Sequence, residues 1–191
     1  MTARAVVENA VQDAARDAVR GDPRVAALVA HFETVASGAM CDLPVVNRAL
    51  RVEAIGFAPM AGDAGAGGAW LGVLITPWSM NLLWLPGARQ DSVRCPLPGG
   101  KACLRVGNID FEWIGAHAPD VGAYAGCSLF SPMFEFDGQE SAAATAQAVL
   151  AQLRGEVGGA KGDGKDDASA VAPRASRRAF LLRPGAFGSA A

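Results

Sequence analysis

The residues that could take part in catalysis do not form a complete catalytic motif. His31 and Glu33 have the His-x-Glu spacing that begins a zinc-deaminase site, but that site also needs Pro-Cys-x-x-Cys, and here Cys95 precedes Pro96 instead. Gly99-Gly100-Lys101 is followed by alanine, where a phosphate-binding loop requires Ser or Thr for magnesium. The sequence therefore predicts that the chain is not an enzyme.

The four cysteines are Cys41, Cys95, Cys103 and Cys127, and no two of them form a Cys-x-x-Cys pair. Structural zinc sites usually take their ligands from such close pairs, so we expect buried thiols with no metal and no cofactor. Cys127 and His117 could act as nucleophile and base, but a strand cysteine facing the core is the simpler interpretation. A cysteine-dependent redox or metal-delivery role is the alternative function.

Large apolar residues are concentrated at two places where predicted strands end. The candidate partner-binding residues there are Pro77, Trp78, Met80, Asn81 and Trp84 at the first place, and Ser128, Ser131, Pro132 and Met133 at the second. Tryptophan and methionine are enriched where proteins bind one another, although the same residue types also fill hydrophobic cores. If several of them are exposed, they form an interaction patch.

A second candidate for partner binding is the segment 176–187, SRRAFLLRPGAF, which follows a long stretch of small and charged residues. Arg177, Arg178 and Phe180 look like the twin-arginine export motif, but no long apolar stretch follows, so an export signal is not expected. We predict that the segment binds either its own domain or a partner.

The stretch 69–87 contains the candidate residues of the first strand end, so its fold determines where they lie. It contains no charged residue and three of the four tryptophans. Pro77 excludes a helix because proline cannot donate to the helix ladder, and Val73 and Ile75 favour strands. We predict two strands, 69–76 and 80–85, with the first covered on both faces at the centre of a sheet.

The remaining pattern predicts an α+β fold, a mostly antiparallel sheet packed by an N-terminal and a C-terminal helix. Predicted helices are 4–20, one from Asp22 as N-cap to Gly38, and one from Asp137 with Glu140 in a capping box. Further predicted strands are 50–57, 101–106, 109–115 and 124–130. Gly107-Asn108 is predicted to join strand 101–106 to strand 109–115 as a hairpin turn. We expect a variable helical extension over 1–21, the domain over 22–156, and a flexible linker and tail over 157–191.

Composition limits the possible partners. The net charge is −2, which gives no reason to expect nucleic acid, because phosphate binding needs a concentrated basic surface. No run of the sequence approaches the roughly 18 consecutive apolar residues of a membrane span, so no membrane insertion is expected. With acidic residues near its start and no long apolar segment there, the chain is predicted to be cytoplasmic.

Three strings of this sequence resemble the HybE/HupJ/HoxT family of assembly chaperones for [NiFe]-hydrogenases. They are GVLITPWSMNLLWLPG, CSLFSPMFEF and SRRAFLL, in the family's order, and the resemblance covers about residues 25 to 182. It implies a cytoplasmic protein without turnover of its own that holds hydrogenase subunit precursors until cofactor insertion and subunit pairing are complete. The implied clients are the large subunit and the small subunit, whose precursor carries a twin-arginine signal in exported hydrogenases.

The sequence departs from the family in its N-terminal helix and in its long linker, so neither is given a function. Some relatives are joined to a rubredoxin or encoded beside one, which makes a rubredoxin-like protein a possible further partner, although no rubredoxin Cys-x-x-Cys pair is present here. Because Arg177, Arg178 and Phe180 imitate a signal peptide, we hypothesise that they occupy the surface that receives the client's own signal.

Overall fold

A computed structural model describes residues 22–60, 68–87, 95–106 and 109–155 of the chain. The elements are α1 (Pro23–Ser37), β1 (Glu53–Pro59), β2 (Trp70–Thr76), β3 (Ser79–Leu85), β4 (Lys101–Val106), β5 (Ile109–Ala118), β6 (Gly122–Phe130) and α2 (Gln139–Arg154). The strands form one antiparallel sheet in the order β1-β2-β3-β6-β5-β4. This confirms the predicted α+β class. The predicted helix 4–20, the Gly107-Asn108 turn and the tail lie outside the described residues.

The strands β2 and β3 are interior strands of the sheet; β3 and β6 form its centre, and β2 lies one strand from the edge. The strands β2 and β3 pair without irregularity from Trp70 opposite Leu85 to Thr76 opposite Ser79. Six of the seven residues of β2 are buried, and six of the seven residues of β3 are buried. Both strands are therefore covered on both faces, which confirms the prediction for the first of them.

The two helices cover opposite faces of the sheet. Val25 and Leu28 of α1 belong to one cluster of buried apolar side chains, together with Leu74 of β2. Val149 of α2 belongs to a second cluster, together with Val73 of β2. Because neighbouring residues of a strand point to opposite faces, the pair 73 and 74 places α1 and α2 on the two sides of β2.

The strand β5 has one buried and one exposed face. Phe111 and Trp113 are buried in the cluster beneath α2, whereas Asp110 and Glu112 are exposed. This confirms the predicted alternation, and it leaves the opposite face of this part of the sheet in contact with water.

The first strand begins later than the sequence predicts. The predicted range 50–57 is wrong at both ends, because pairing starts with Glu53 opposite Ile75 and ends with Pro59 opposite Trp70. A β-bulge at Gly56, whose φ is +58°, interrupts the period-two pattern, so that Ile55 packs under α2 and Phe57 packs under α1.

The capping box predicted for the second helix is wrong. Gly138 is the N-cap of α2, and no side chain caps this end. Gln139 instead accepts a hydrogen bond from the Arg51 backbone N–H (2.9 Å) and donates one to a Glu53 carboxylate oxygen (2.7 Å). Contacts with the start of β1 therefore fix the beginning of this helix. The prediction for α1 is correct, since Asp22 accepts a hydrogen bond from the Arg24 backbone N–H.

Candidate partner-binding surface

The turn between β2 and β3 is held by a buried network of hydroxyl groups. Thr76 is fully buried, and its Oγ1 accepts a hydrogen bond from the Ser79 backbone N–H (3.0 Å) and donates one to the Ser79 carbonyl (2.9 Å). The Ser79 Oγ lies 3.1 Å from the same hydroxyl and accepts a hydrogen bond from the Asn81 amide (2.9 Å). Thr76, Ser79 and Asn81 thus fix a tight turn in which Pro77 is buried and Trp78 is partly exposed.

The indole of Trp78 lies beside α1, and the backbone of Trp78 contacts the segment after β6. Its ring centroid is 6.5 Å from that of Phe32, near the C-terminal end of α1. The Ser131 hydroxyl donates a hydrogen bond to the Trp78 carbonyl (3.3 Å). The strand β6 ends at Phe130, which pairs with Met80, so residues 131 onward leave the sheet beside the turn.

The segment after β6 presents apolar side chains to solvent. The Ser131-Pro132 peptide bond is cis, and both residues are exposed. Met133 and Phe136 turn inward and are buried, whereas the side chain of Phe134 between them is 58% exposed. A large aromatic ring therefore lies on the surface where the chain leaves the sheet.

The loop after α1 joins the turn to this segment. The backbone N–H of Asn47 donates to the Pro77 carbonyl (2.8 Å), and its side-chain amide donates to the carbonyls of Met133 (3.0 Å) and Phe136 (2.8 Å). In the same loop Leu43 is 45% exposed. Three segments distant in sequence thus meet at one end of the sheet. Their exposed and partly exposed residues, Leu43, Trp78, Ser131, Pro132 and Phe134, are called the sheet-end surface below.

The structure separates the predicted site residues into core residues and surface residues. Met80 and Met133 are fully buried and Trp84 is 7% exposed, so their side chains pack in the core beneath α2. Asn81 is half-buried and lies opposite the exposed Ser128 on β6. Pro77 and Asn81 support the turn, while Trp78, Ser131 and Pro132 lie on its outer side. Arg177, Arg178 and Phe180 lie outside the described residues.

The predicted site residues do not include Leu43, Asn47, Ser79 or Phe134 of this region. Ser79 could have been identified, because a hydroxyl residue three positions after Thr76 in a Thr-Pro-x-Ser string is typical of a side-chain-supported turn. Asn47 makes its contacts across 86 and 89 residues of chain, so no local pattern indicates its role. Leu43 was not selected because a single leucine in a loop carries no positional signal.

Two acidic residues adjoin the sheet-end surface. Asp42 precedes Leu43, and Glu135 follows Phe134; both are exposed. Asp42 accepts a hydrogen bond from the Cys41 thiol (3.4 Å), which, with the nearby negative charge, raises the pKa of that thiol. Within the described residues, neither Asp42 nor Glu135 has a basic side chain within ion-pair distance. The apolar surface thus has a negatively charged border.

The cysteines differ in exposure. The prediction of buried thiols is correct for Cys127, which is 1% exposed, and wrong for Cys41 and Cys103, which are exposed. Burial raises the pKa of the Cys95 thiol. In the ranges that the structure describes, no three His, Cys, Asp or Glu side chains lie close enough together to hold a metal ion.

A helix that crosses a bilayer needs about 20 consecutive, mostly apolar residues. Neither α1, with 15 residues, nor α2, with 16, is long and apolar enough to span a membrane.

Comparison with known proteins identifies the family. A family model described as [NiFe]-hydrogenase assembly, chaperone, HybE matches residues 23–183. The chain is 48% identical over 169 residues to Protein HoxT of Cupriavidus necator, covering 83% of this chain and 88% of that protein. It is 40% identical over 134 residues to the Probable rubredoxin HupJ of Rhodobacter capsulatus, covering 70% of this chain and 46% of that protein.

The fold agrees with this assignment. The match with the solution structure of HybE from Escherichia coli covers 82% of this chain and 93% of that protein. The TM-score is 0.51 at 20% sequence identity, so this comparison shows that the two proteins share a fold. The family match includes all three strings that suggested the resemblance, since it extends from residue 23 to residue 183. The chain belongs to the HybE family of [NiFe]-hydrogenase assembly chaperones.

Proposed function

We propose that this protein binds [NiFe]-hydrogenase subunit precursors through the sheet-end surface and holds them until cofactor insertion and subunit pairing are complete. The observation that carries the proposal is the set of exposed and partly exposed apolar side chains on and beside a turn that is itself fixed by buried hydrogen bonds. In a chain of a chaperone family, such a surface is the natural place for a client to bind.

The residue types of the surface and its ordered backbone suit reversible binding of a client. Trp78 and Phe134 are the aromatic side chains of this surface, and each could contribute about 2 kcal/mol when a partner covers it. Their backbone is already ordered by Thr76, Ser79 and Asn47, so binding would not require the turn to become ordered. A chaperone must release its client, and an affinity around micromolar, or roughly −8 kcal/mol, meets that need.

The proposed clients are the large subunit, the signal-bearing small subunit, or both, bound in the cytoplasm before assembly. The protein would carry out no reaction of its own in this role. A rubredoxin-like protein is a proposed further partner, because one relative is named a probable rubredoxin and this chain covers only 46% of it. The rest of that relative would then correspond to a protein acting beside the chaperone.

The experiment is a pull-down with tagged protein from hydrogen-oxidising cells lysed without oxygen, comparing the wild type with Trp78→Ala. Trp70→Ala is the matched control, because Trp70 is also partly exposed but lies at the other end of β2, opposite Leu85. We expect wild type and Trp70→Ala to retain hydrogenase precursors and Trp78→Ala to lose most of them. Thermal unfolding checks that both variants fold.

Retention of precursors by folded Trp78→Ala at the wild-type level would disprove the role of the surface. Failure of all three proteins to retain a subunit would instead favour the cysteine-dependent redox or metal-delivery role. Metal analysis of anaerobically purified protein tests that alternative, since a stoichiometric metal would support delivery.

A further inference from the structure

We propose that the sheet-end surface is occupied, in the absence of a client, by residues 176–182 of the same chain. These residues, SRRAFLL, combine two arginines with three large apolar side chains. The segment would act as a tethered competitor that a client has to displace. The proposed function supplies the choice of surface, but the occupant is a part of this chain and needs no client.

The charges of the surface favour a basic occupant. Asp42 and Glu135 border the exposed Leu43 and Phe134, and Asp137 follows two residues later. Within the described residues, none of these three carboxylates has a basic group within 4 Å. Arg48, in the loop between α1 and β1, is exposed and forms no ion pair with another described residue.

The composition of the segment complements both parts of the surface. Arg177 and Arg178 offer planar guanidinium groups that bind carboxylates, and Phe180, Leu181 and Leu182 offer apolar area for the exposed rings. The family match continues to residue 183 and therefore includes this segment, although the 20 residues 156–175 separate it from the last described position, Gly155. The segment is thus part of the sequence that the family model matches.

The chain can reach the surface. The helix α2 begins at Gln139 near the start of β1, and it ends at Arg154, whose guanidinium donates to the carbonyls of Gly56 and Leu71. Its 16 residues correspond to about 24 Å at 1.5 Å per residue. To bring residue 176 from the C-terminal end of α2 back to the sheet-end surface, residues 156–175 have to span about 24 Å. A chain of 20 residues can span up to roughly 66 Å. The tether therefore permits the contact without strain.

Tethering makes a weak contact effective. Short tethers give effective concentrations on the order of 1 mM. If the free segment binds with a dissociation constant of about 100 μM, the tether would weaken any competing ligand of this surface about tenfold. The expected effect is thus large enough to measure, yet small enough for a client of higher affinity to overcome.

The test is ¹⁹F NMR of the full chain labelled with 5-fluorotryptophan, which gives one signal for each of the four tryptophans; Trp78→Phe assigns the signal of interest. The test variant is R177E/R178E/F180A. The control is K165E/R174E/F187A, which changes the tail by the same charge and removes one phenylalanine outside the segment. We expect the Trp78 signal to shift in the test variant only, independently of protein concentration, with the signal of the fully covered Trp113 unchanged.

The second measurement adds the synthetic peptide SRRAFLLR to both proteins. We expect it to return the Trp78 signal of R177E/R178E/F180A to the wild-type position, and to bind that variant about tenfold more tightly than it binds wild type. An unchanged Trp78 signal in the test variant, equal peptide binding to both proteins, or no binding to either would overturn the proposal. A wild-type signal that depends on protein concentration would assign the contact to a second copy and would overturn the same-chain assignment.

No hydrogenase subunit is present in these two measurements. Their failure would therefore remove the tethered segment as occupant and leave the binding of clients to be decided by the pull-down. Failure of the pull-down would likewise leave the result of the NMR comparison unchanged.

Discussion

Asn47 and Thr76 hold together the surface that we assign to client binding. Asn47 connects the loop after α1 to the Pro77 carbonyl and to the carbonyls of Met133 and Phe136, so one side chain and one backbone N–H join three segments. Thr76 closes the turn on which Trp78 is presented. Both residues act by positioning others, and neither needs to touch a client.

The first prediction concerns the hydroxyl of Thr76. Thr76→Val leaves the N–H and the carbonyl of Ser79 without their buried partner, and we expect a loss of about 1 to 3 kcal/mol in the free energy of unfolding. The matched control is Thr145→Val on α2, whose hydrogen bond to the Ser141 carbonyl is exposed; we expect a change within about 0.5 kcal/mol. Urea denaturation measures both. Equal losses in the two variants would show that the turn network does not stabilise the fold.

The second prediction concerns Asp22, the N-cap of α1. Burial alone would raise the pKa of this carboxyl, but two hydrogen bonds and the charge of Arg24 outweigh it, and the pKa lies below its ordinary value of 3.8. A lowered folded-state pKa stabilises the protein fully above the unfolded value, and this contribution is lost as the pH falls through the folded value. We therefore expect Asp22→Ala to cost about 1 to 2 kcal/mol at pH 7 and progressively less below about pH 4.

Unfolding by urea across this pH range measures the difference between wild type and Asp22→Ala. Asp110→Ala is the control, because Asp110 also pairs with an arginine but is exposed, and its removal should have a much smaller effect. A difference between wild type and Asp22→Ala that stays constant from pH 7 down to pH 3 would contradict the assignment.

At the scale of elements, the two helices stabilise the sheet independently. Val25 of α1 and Val149 of α2 are buried in different clusters on opposite faces. We expect Val25→Ala and Val149→Ala each to cost about 2 kcal/mol, and the double variant to show the sum within about 0.5 kcal/mol. Equilibrium unfolding of the three variants gives the coupling. A coupling energy well above that limit would mean that the two cores are joined through the sheet.

The elements themselves were largely predictable, because they follow from local pattern. The run of apolar residues around Val73 and the alternation around Phe111 and Trp113 depend on single-strand periodicity, and both predictions are confirmed. The errors occur where tertiary contacts decide. The bulge at Gly56 reverses the alternation in β1, and Gln139, bound to the start of that strand, sets the beginning of α2.

The site could be predicted only in part. The residue types of the Trp78 turn indicate a binding site, and the structure leaves the Trp78 side chain partly exposed. Met80, Trp84 and Met133 have the same apolar character, but whether such side chains lie inside or outside depends on the register of β3 and on the fold of the segment after β6. Asn47 and Leu43 join the site through contacts that no local sequence pattern indicates.

At the scale of the whole molecule, the fold directs three loops to one end of the sheet. The C-terminal end of α1, the β2–β3 turn and the exit from β6 all lie there, so their exposed apolar residues lie at the same end of the sheet. Leu97 is 80% exposed and lies beside Gly115 of β5, far from this end. Gly115 pairs with Ala125 of β6, and Ala125 pairs with Trp84, which lies near the end of β3 that is remote from the β2–β3 turn. The molecule thus contains two exposed apolar residues that can be compared, Phe134 on the sheet-end surface and Leu97 far from it.

The measurement that tests client binding most directly uses this comparison. Dissociation constants for anaerobically purified hydrogenase subunit precursors should be determined for wild type, Phe134→Ser and Leu97→Ser, two substitutions of exposed side chains that leave the core intact. If the sheet-end surface holds the client, Phe134→Ser weakens binding by about tenfold or more, a loss of about 1.4 kcal/mol, while Leu97→Ser stays within about twofold of wild type. Equal affinities of Phe134→Ser and wild type, or a larger loss in Leu97→Ser, would contradict the assignment of this surface.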